Sequence, residues 1–578
     1  AAASAADDEL EVVTVEGKSA RPVKPSLRIN VPDYALSTQV YDFPTGLRIM
    51  MQPDNSHPIV TVFSVVNHGA KDDPKGKEGT AHFVEHTWFR SVHGELPPIM
   101  QVVQDLGSLF NATTRPDWTD YRTVTSAEYL PILLRLESLR LTEPYKGVTE
   151  DQIETEREVI RNEWRRRNEQ SYALLFDYLY TVVYPEDHPY HASSTHDSLD
   201  NIHLADLQKY FDDYYKAENT TTFVVGDFEP WESLSLVFEN YDLKLLHPDL
   251  EEKHLFQYPK PGVKSPDRDN PDHWLTGAYN PDTYKEGAAR NEPFNPVPSR
   301  SPRITEDRPD VPPLGSAEVI YREGALDRQT VAIGWSLPGA YREDQLNLQF
   351  MGNIGSFALN NGLYDYGKRL GDKGCFVQPG VLASTMMCYV EIKDSSLDPE
   401  KIAEKAIDQF ATMWNPDYVQ FFEMDISKGR QQMLAGTLQS LDTVAQHFGG
   451  RAEDITPYAH YTGRATAHSD RMNRVSGIKA QVIASMANKY LQRDRAAILV
   501  VDPLPKDEID TEGEHSSYHG ANASDEGQAQ SNDLTNVTDE AIASSYVKPD
   551  LDQLQQFKLE NGMQVIILPH GEAPVIEA

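Results

Sequence analysis

The chain has 578 residues, of which 39% are hydrophobic and 25% are charged, so more than one soluble globular domain is expected. The formal net charge of −36 argues against nucleic-acid binding and leaves open either an acidic surface suited to salt or a field that attracts basic peptides. No apolar run approaches the roughly 20 residues that a membrane span requires, so no span is predicted.

The first residues read Ala-Ala-Ala-Ser-Ala-Ala-Asp-Asp, with neither an initial Met nor an apolar signal core. This pattern is typical of a processed or trimmed start from which a targeting peptide has been removed. We therefore expect an extracytoplasmic location, periplasmic or secreted, with an organellar or cytoplasmic location as the alternative.

The run His-Phe-Val-Glu-His at residues 82–86 is the first motif that indicates chemistry. On a helix, positions i and i+4 share one face, so His82 and His86 could hold one metal ion. Glu85 would then lie beside a water on that ion. The alternative interpretation is a helix with two surface histidines.

Residues 150–170 contain no Gly or Pro and are rich in good helix formers, which predicts a charged helix. Most of its charges are expected to face solvent. Glu156 and Glu163 lie seven residues apart on one stripe of this helix. A catalytic zinc takes three protein ligands, so a carboxylate from a second element would complete a His-His-Glu site.

Residues 79–90, Gly-Thr-Ala-His-Phe-Val-Glu-His-Thr-Trp-Phe-Arg, resemble the signature of the pitrilysin/insulinase-type zinc metallopeptidases. Glu163 also follows His86 at the spacing at which that family places its third ligand. The resemblance implies one Zn²⁺ per chain held by His82, His86 and Glu163. It further implies catalytic roles for Glu85, as general base, and for Glu156, as a carboxylate that orients a ligand.

The segment that begins at Asn111 also resembles this family, in which an edge strand of the sheet binds substrate as an added β-strand. The resemblance therefore implies that Asn111, Ala112 and Thr113 bind substrate. An ordinary strand is the alternative. His188-Pro189-Tyr190, a helix near 204–215 and a strand at 223–227 extend the likeness.

A second, homologous domain is predicted from strands at 331–335 and 497–503. Where the first domain has its His motif, this one has Gln345-Leu346-Asn347-Leu348-Gln349-Phe350, which carries no ligand set, so the resemblance implies a non-catalytic wall. Its two cysteines, Cys375 and Cys388, could pair on neighbouring strands or remain free thiols.

One feature departs from the family, which uses an Arg and a Tyr seven residues later to bind substrate. The nearest match is Arg369 with Phe376, and phenylalanine has no hydroxyl to donate. We interpret this segment as a structural strand and loop of the second domain.

An internal repeat relates residues 44–60 to residues 560–576 at an offset of 516, matching Gly46 with Gly562 and Pro53 with Pro569. The second copy predicts the opening strands of a third homologous domain. Such an opening suggests a truncated chain, or a precursor whose remaining half is a separate chain.

The predicted fold class is α+β, with two homologous α/β sandwich domains of mostly antiparallel sheet covered by helices, plus the opening strands of a third. We read 251–315 as a Pro-rich insertion ordered against the domains, and 506–548 as an acidic flexible linker. The predicted divisions are 1–34 N-terminal extension, 35–250 catalytic domain, 251–315 insertion, 316–505 non-catalytic domain, 506–548 linker and 549–578 start of a third domain.

The function that these features predict is zinc-dependent hydrolysis of peptides or unfolded segments in an enclosed chamber. The alternative is a non-catalytic or regulatory assembly subunit of the same fold. Expected partners are a peptide substrate and either a C-terminal half of the same precursor or a homologous subunit, with no nucleic acid.

Overall fold

The computed structural model describes most of two domains and one further hairpin. The described residues are 12–13, 38–43, 45–94, 96–168, 171–191, 196–229, 233–246, 319–342, 345–415, 422–444, 450–504, 555–559 and 564–567. The predicted insertion at 251–315 and the predicted linker at 506–548 therefore lie outside the described residues.

The first domain is built on a six-stranded sheet with the order β2-β3-β7-β4-β6-β5. Its pairs are antiparallel except for the parallel pair of β3 and β7. The central strands are rich in Val, Ile, Thr and Phe, which suit a pleated surface buried under helices. The strands are β2 Gln39–Asp42, β3 Arg48–Pro53, β4 Ile59–Val66, β5 Leu109–Thr114, β6 Thr119–Ser126 and β7 Thr220–Gly226.

The helices of this domain are α1 Thr80–Trp88, α2 Ile99–Asp105, α3 Leu130–Thr142, α4 Glu150–Asn168, α5 Ser171–Val183, α6 His196–Asp200, α7 Leu204–Tyr214, α8 Ser233–Asn240 and α9 Leu243–Leu246. The start of α1 is fixed by Asp73, whose carboxylate accepts hydrogen bonds from the backbone N–H groups of Gly79 and Ala81, each at 2.7 Å. Gly79 itself has a φ of 106°, a conformation that favours glycine. The motif helix is thus held at its first turn.

The second domain repeats the architecture with a five-stranded sheet of order β10-β11-β9-β12-β8, in which β12 and β8 are parallel. The strands are β8 Val319–Gly324, β9 Thr330–Leu337, β10 Leu370–Gln378, β11 Ser384–Ile392 and β12 Ala497–Pro503. The helices are α10 Gln345–Gly362, α11 Pro399–Met413, α12 Glu423–Asp442, α13 Arg451–Thr462, α14 Ala467–Arg474 and α15 Ala480–Tyr490. Two mixed sheets covered by helices confirm the predicted fold class.

One helix of each domain packs against the sheet of the other domain. Helix α5 of the first domain packs against β9 and β12, where Gly334 leaves room for Leu179 and Val183. Helix α13 of the second domain packs against β4 and β7. Both contacts contain buried side chains of the two domains, an arrangement that the sequence did not predict.

The end of α13 is bound to the first domain by a buried guanidinium. Arg48 donates to the carbonyl oxygens of Ala459 and Gly463, at 3.2 and 2.9 Å, while its other nitrogens pair with Asp42. Cations near a helix C-terminus are favourable because the last carbonyls lack intrahelical donors. Arg48 therefore caps a helix of the neighbouring domain.

A third hairpin is formed by β13 Gln555–Leu559 and β14 Gln564–Ile567. Its register, with Gln555 opposite Ile567, matches the register of β2 and β3, with Gln39 opposite Met51, at the offset of 516 found in the sequence. A short strand, β1 Val12–Val13, pairs with β13 in parallel.

Cys375 and Cys388 face each other directly on β10 and β11 and form a disulfide. This outcome decides between the paired and free alternatives that the sequence left open. No helix in the described part of the chain combines the length and the apolar character needed to cross a bilayer.

Candidate metal centre

Three potential ligands converge where α1 faces α4. Nε2 of His82 and Nε2 of His86 lie 3.2 Å apart, and Oε2 of Glu163 lies 3.4 Å from each of them. Ligand bonds of about 2.0–2.1 Å to a tetrahedral zinc place neighbouring donors roughly 3.3 Å apart. The donor atoms and their spacing therefore fit zinc.

The local sequence explains why these three residues meet. His82 and His86 share one face of α1 because they lie one turn apart. The opposite side of α1 carries Val84, which is buried in the core of the domain. On α4, Ile160 packs into the same core, and Glu163 lies in the next turn beside the histidines.

Glu156 is not one of the three donors and lies behind the ring of His86. Its Oε2 is 3.0 Å from Nδ1 of His86, and its Oε1 accepts a hydrogen bond from Arg90. Burial acts to raise the pKa of this carboxyl, but the bonds from His86 and Arg90 outweigh burial and lower it. An ionised Glu156 fixes the ring of His86 with Nε2 directed at Glu163.

Two carboxylates flank His86. Burial disfavours the imidazolium, yet the bonds to Glu156 and Glu163 raise the pKa of His86 to about 10. Without a metal, the site therefore carries a proton on His86, and a metal ion must displace that proton in order to bind.

Glu85 is buried next to the three donors and is not one of them. Burial raises the pKa of Glu85 to about 7, against the lowering effects of His86 and of a hydrogen bond from Thr114. Oγ1 of Thr114 donates to Oε2 of Glu85 at 2.5 Å. This hydrogen bond fixes the carboxylate of Glu85 against the end of β5. The sequence did not predict this contact.

A cavity of about 710 Å³ opens in front of these residues. One wall is β5, the last strand in the order of the sheet, which contributes Asn111, Ala112 and Thr113. Large apolar side chains also line it: Phe89, Met100, Leu109, Phe110, Ile160 and Trp164. Polar residues, among them Asp73, Gln104, Ser108 and Thr114, complete the lining. Seven of the eight site residues proposed from the sequence thus line one cavity, and Glu156 lies behind it in contact with His86.

The second domain offers no comparable centre among its described residues, since the only cluster with metal-ligand spacing found in the described chain is that of His82, His86 and Glu163. Arg369 pairs with Asp394 at 2.7 Å, and the ring of Phe376 packs against Phe176. These contacts agree with a structural interpretation of that segment.

Residues 48–193 match the family model described as insulinase, peptidase family M16. This segment belongs to peptidase family M16. The M16 segment contains all eight proposed site residues and both helices that carry the donor atoms.

Curated relatives of this chain include a zinc protease, PqqE of Helicobacter pylori, which is 30% identical over 232 residues. That match covers 39% of this chain and 50% of the relative, so it spans half of the relative's length. Cytochrome b-c1 complex subunit 1 of Bos taurus is 22% identical over 493 residues, covering 81% of this chain and 86% of that subunit.

Two solved structures have the same M16 fold. A protease from Helicobacter pylori superposes with a TM-score of 0.60 at 18% identity, covering 82% of this chain and all of the other. The first half of the periplasmic protease PqqL from Escherichia coli gives 0.51 at 15% identity, covering 82% of this chain and 95% of the other. At these identities the likeness establishes the fold alone.

Proposed function

We propose that the chain is a zinc-dependent endopeptidase that hydrolyses peptides or unfolded segments. The observation that carries this proposal is the convergence of His82, His86 and Glu163 at tetrahedral spacing inside a large cavity. The assignment of residues 35–250 as the catalytic domain and 316–505 as its non-catalytic counterpart belongs to the same proposal.

Zinc held by these three residues would lower the pKa of a bound water to about 7 and polarise the scissile carbonyl. Glu85 accepts the proton of the attacking water on its carboxylate and later delivers that proton to the leaving nitrogen. Thr114 holds Oε2 of Glu85 by its hydrogen bond, which leaves Oε1 to exchange the proton. Glu156 keeps Nδ1 of His86 occupied, so that Nε2 is the nitrogen available to the metal.

Substrate binds as an extended strand beside β5, with Asn111, Ala112 and Thr113 as the recognition edge. This mode is supported by the place of β5 at the end of the sheet and by its residues in the cavity wall. Backbone pairing carries little sequence information, so the apolar wall around Phe89, Phe110 and Trp164 selects side chains.

The active assembly contains a second half or a homologous subunit that closes the cavity into a chamber. The hairpin of β13 and β14, whose register repeats that of β2 and β3, supports a third homologous domain. Names among the relatives agree, since one is a complex subunit and one is the first half of a protease. The disulfide supports an oxidising, extracytoplasmic location.

A non-catalytic assembly subunit is the second candidate. It is favoured by the match to cytochrome b-c1 complex subunit 1 over most of both chains. The retained donor triad and Glu85 favour the peptidase, because an assembly role requires neither.

Zinc content together with cleavage of a quenched peptide separates the two candidates. Glu163→Gln should lose both bound zinc and cleavage. Glu158→Gln, an exposed change on the same helix, should keep both. Stoichiometric zinc in the Glu163→Gln protein would contradict the ligand assignment, and zinc without cleavage in every assembly state would favour the non-catalytic subunit.

A further inference from the structure

A second cavity, of about 330 Å³, lies in the second domain between the start of α10 and helices α13 and α14. Among the described residues, its wall includes four arginines, Arg342, Arg464, Arg471 and Arg474, and one acidic residue, Asp470. In a chain with a net charge of −36, such a concentration of positive charge is local and unusual.

The carboxylate of Asp470 is paired with Arg464. The guanidinium of Arg471 lies 5.1 Å from the ring centre of Tyr458 and donates through Nη2 to Gln349. Its Nε is buried and has no hydrogen-bond acceptor among the described residues. The contacts of the Arg471 guanidinium with Tyr458 and Gln349 are with side chains that carry no negative charge.

The positive potential near Arg471 also acts on a neighbouring histidine. His468 is buried beside Tyr458, and its pKa is lowered to about 3, first by burial and then by the charge of Arg471. Helices α10 and α14 both begin at the cavity, where Gln345 and Ala467 lie in its wall. A helix start carries the positive end of the helix dipole, which attracts anions.

Tyr341 forms the aromatic side of the cavity and adopts a φ of 63°, the only positive value of a non-glycine residue in the described chain. Its ring stacks on Tyr461 at 4.7 Å, and its N–H donates to Oε1 of Gln345. Strained backbone of this kind is concentrated at ligand sites. The aromatic side therefore gives the cavity a fixed shape.

We propose that this cavity binds a small multivalent anion of phosphate chemistry, at a site separate from the metal centre. Guanidinium groups match phosphate oxygens with paired hydrogen bonds, and several of them surround one volume here. The volume suits a small molecule. A phosphate group in this volume would accept hydrogen bonds from guanidinium groups of the wall.

The test is a calorimetric titration of the full chain with pyrophosphate. The protein is first freed of metal, because pyrophosphate also binds metal ions. The pocket variant is Arg342→Gln/Arg471→Gln. The matched control is Arg328→Gln/Arg493→Gln, which removes the same charge from exposed arginines of the same domain.

Wild type and control should bind pyrophosphate alike, and the pocket variant about tenfold or more weakly. Equal weakening in both variants would show general charge attraction and would overturn the site, as would no binding to the wild type up to about 10 mM. Arg342→Lys/Arg471→Lys keeps the charge without the planar fork and should bind with intermediate affinity. Should the glutamine variant fail to fold, full affinity in the lysine variant would refute recognition by paired guanidinium bonds.

Discussion

Oε2 of Glu156 lies 3.0 Å from Nδ1 of His86, on the opposite edge of the ring from the nitrogen that faces Glu163. One imidazole thus connects two carboxylates of helix α4 that lie two turns apart. Its orientation depends on both, and this dependence gives Glu156 a role that can be measured through zinc binding.

Glu156→Gln should weaken zinc binding by about 10- to 100-fold while leaving the fold intact. The amide cannot hold the ring with the strength of a carboxylate, so Nε2 of His86 is less well oriented and less basic. Competition with a zinc chelator measures the affinity. The exposed change Glu158→Gln is the control, and unchanged affinity in Glu156→Gln would remove its orienting role.

Glu85→Gln should retain stoichiometric zinc and lose peptide cleavage by about 10²–10⁴-fold in the complete, active assembly. The amide cannot accept the proton of the attacking water, whereas the three donor atoms are untouched. Zinc content and steady-state cleavage of a quenched peptide measure the two effects separately. Full turnover by the variant would exclude Glu85 as the base.

Zinc binding should release more than one proton near pH 8. One comes from His86, whose pKa is raised to about 10 in the metal-free site, and a further share comes from the zinc-bound water, whose pKa would be about 7. Affinity should therefore rise by about tenfold or more per pH unit between roughly pH 6 and pH 8. Calorimetry in buffers of different ionisation enthalpy counts the protons. Glu156→Gln removes one carboxylate that stabilises the imidazolium of His86, so zinc binding to this variant should release fewer protons. A zinc affinity that does not change with pH would contradict a protonated His86 in the metal-free site.

The cluster of His82, His86 and Glu163 could be predicted from the sequence because its information is local or carried by a family spacing. His82 and His86 are one helical turn apart, and Glu163 follows from the resemblance. The hydrogen bond from Thr114 to Glu85 could not be predicted, since it depends on how β5 packs against α1. The amino-acid sequence alone does not specify the distance between the side chains of Thr114 and Glu85.

The same limit applies to the larger architecture. Two similar domains were visible in repeated strands, but the exchange of α5 and α13 between sheets was not. The pairing of Cys375 and Cys388 required the register of β10 and β11, which alternation alone leaves undetermined. Tertiary packing decides each of these features.

Tyr190→Phe should destabilise the chain by about 1–3 kcal/mol, because its hydroxyl joins the two domains. Oη of Tyr190 donates to the buried carboxylate of Asp117 and accepts from the backbone N–H of Leu382 across the interface. Urea unfolding measures the loss. Tyr321→Phe is the control, because it removes an exposed hydroxyl bound to Glu400 and should change stability little. Equal losses of unfolding free energy in the two variants would mean that the hydroxyl of Tyr190 adds no stability at the interface.

In His468→Gln, the free energy of unfolding should decrease less steeply than in the wild type as the pH falls below about 6.5. The pKa of His468 is about 3 in the folded chain, far below its ordinary value of 6.5, first because of burial and then because of Arg471. Below about pH 6.5 the unfolded chain therefore binds a proton that the folded chain excludes, and stability falls by up to about 1.4 kcal/mol per pH unit until roughly pH 3.

Above about pH 6.5 His468 is neutral in both states and contributes no slope. Urea unfolding of the wild type and of His468→Gln at about pH 7, pH 6 and pH 5 isolates this contribution, since the other titrating groups are shared. The difference in slope should approach one proton at the lowest pH, with the variant losing less stability. His57→Gln, a change at an exposed histidine, should reproduce the wild-type slope, and parallel slopes for all three proteins would show that His468 is protonated in the folded chain.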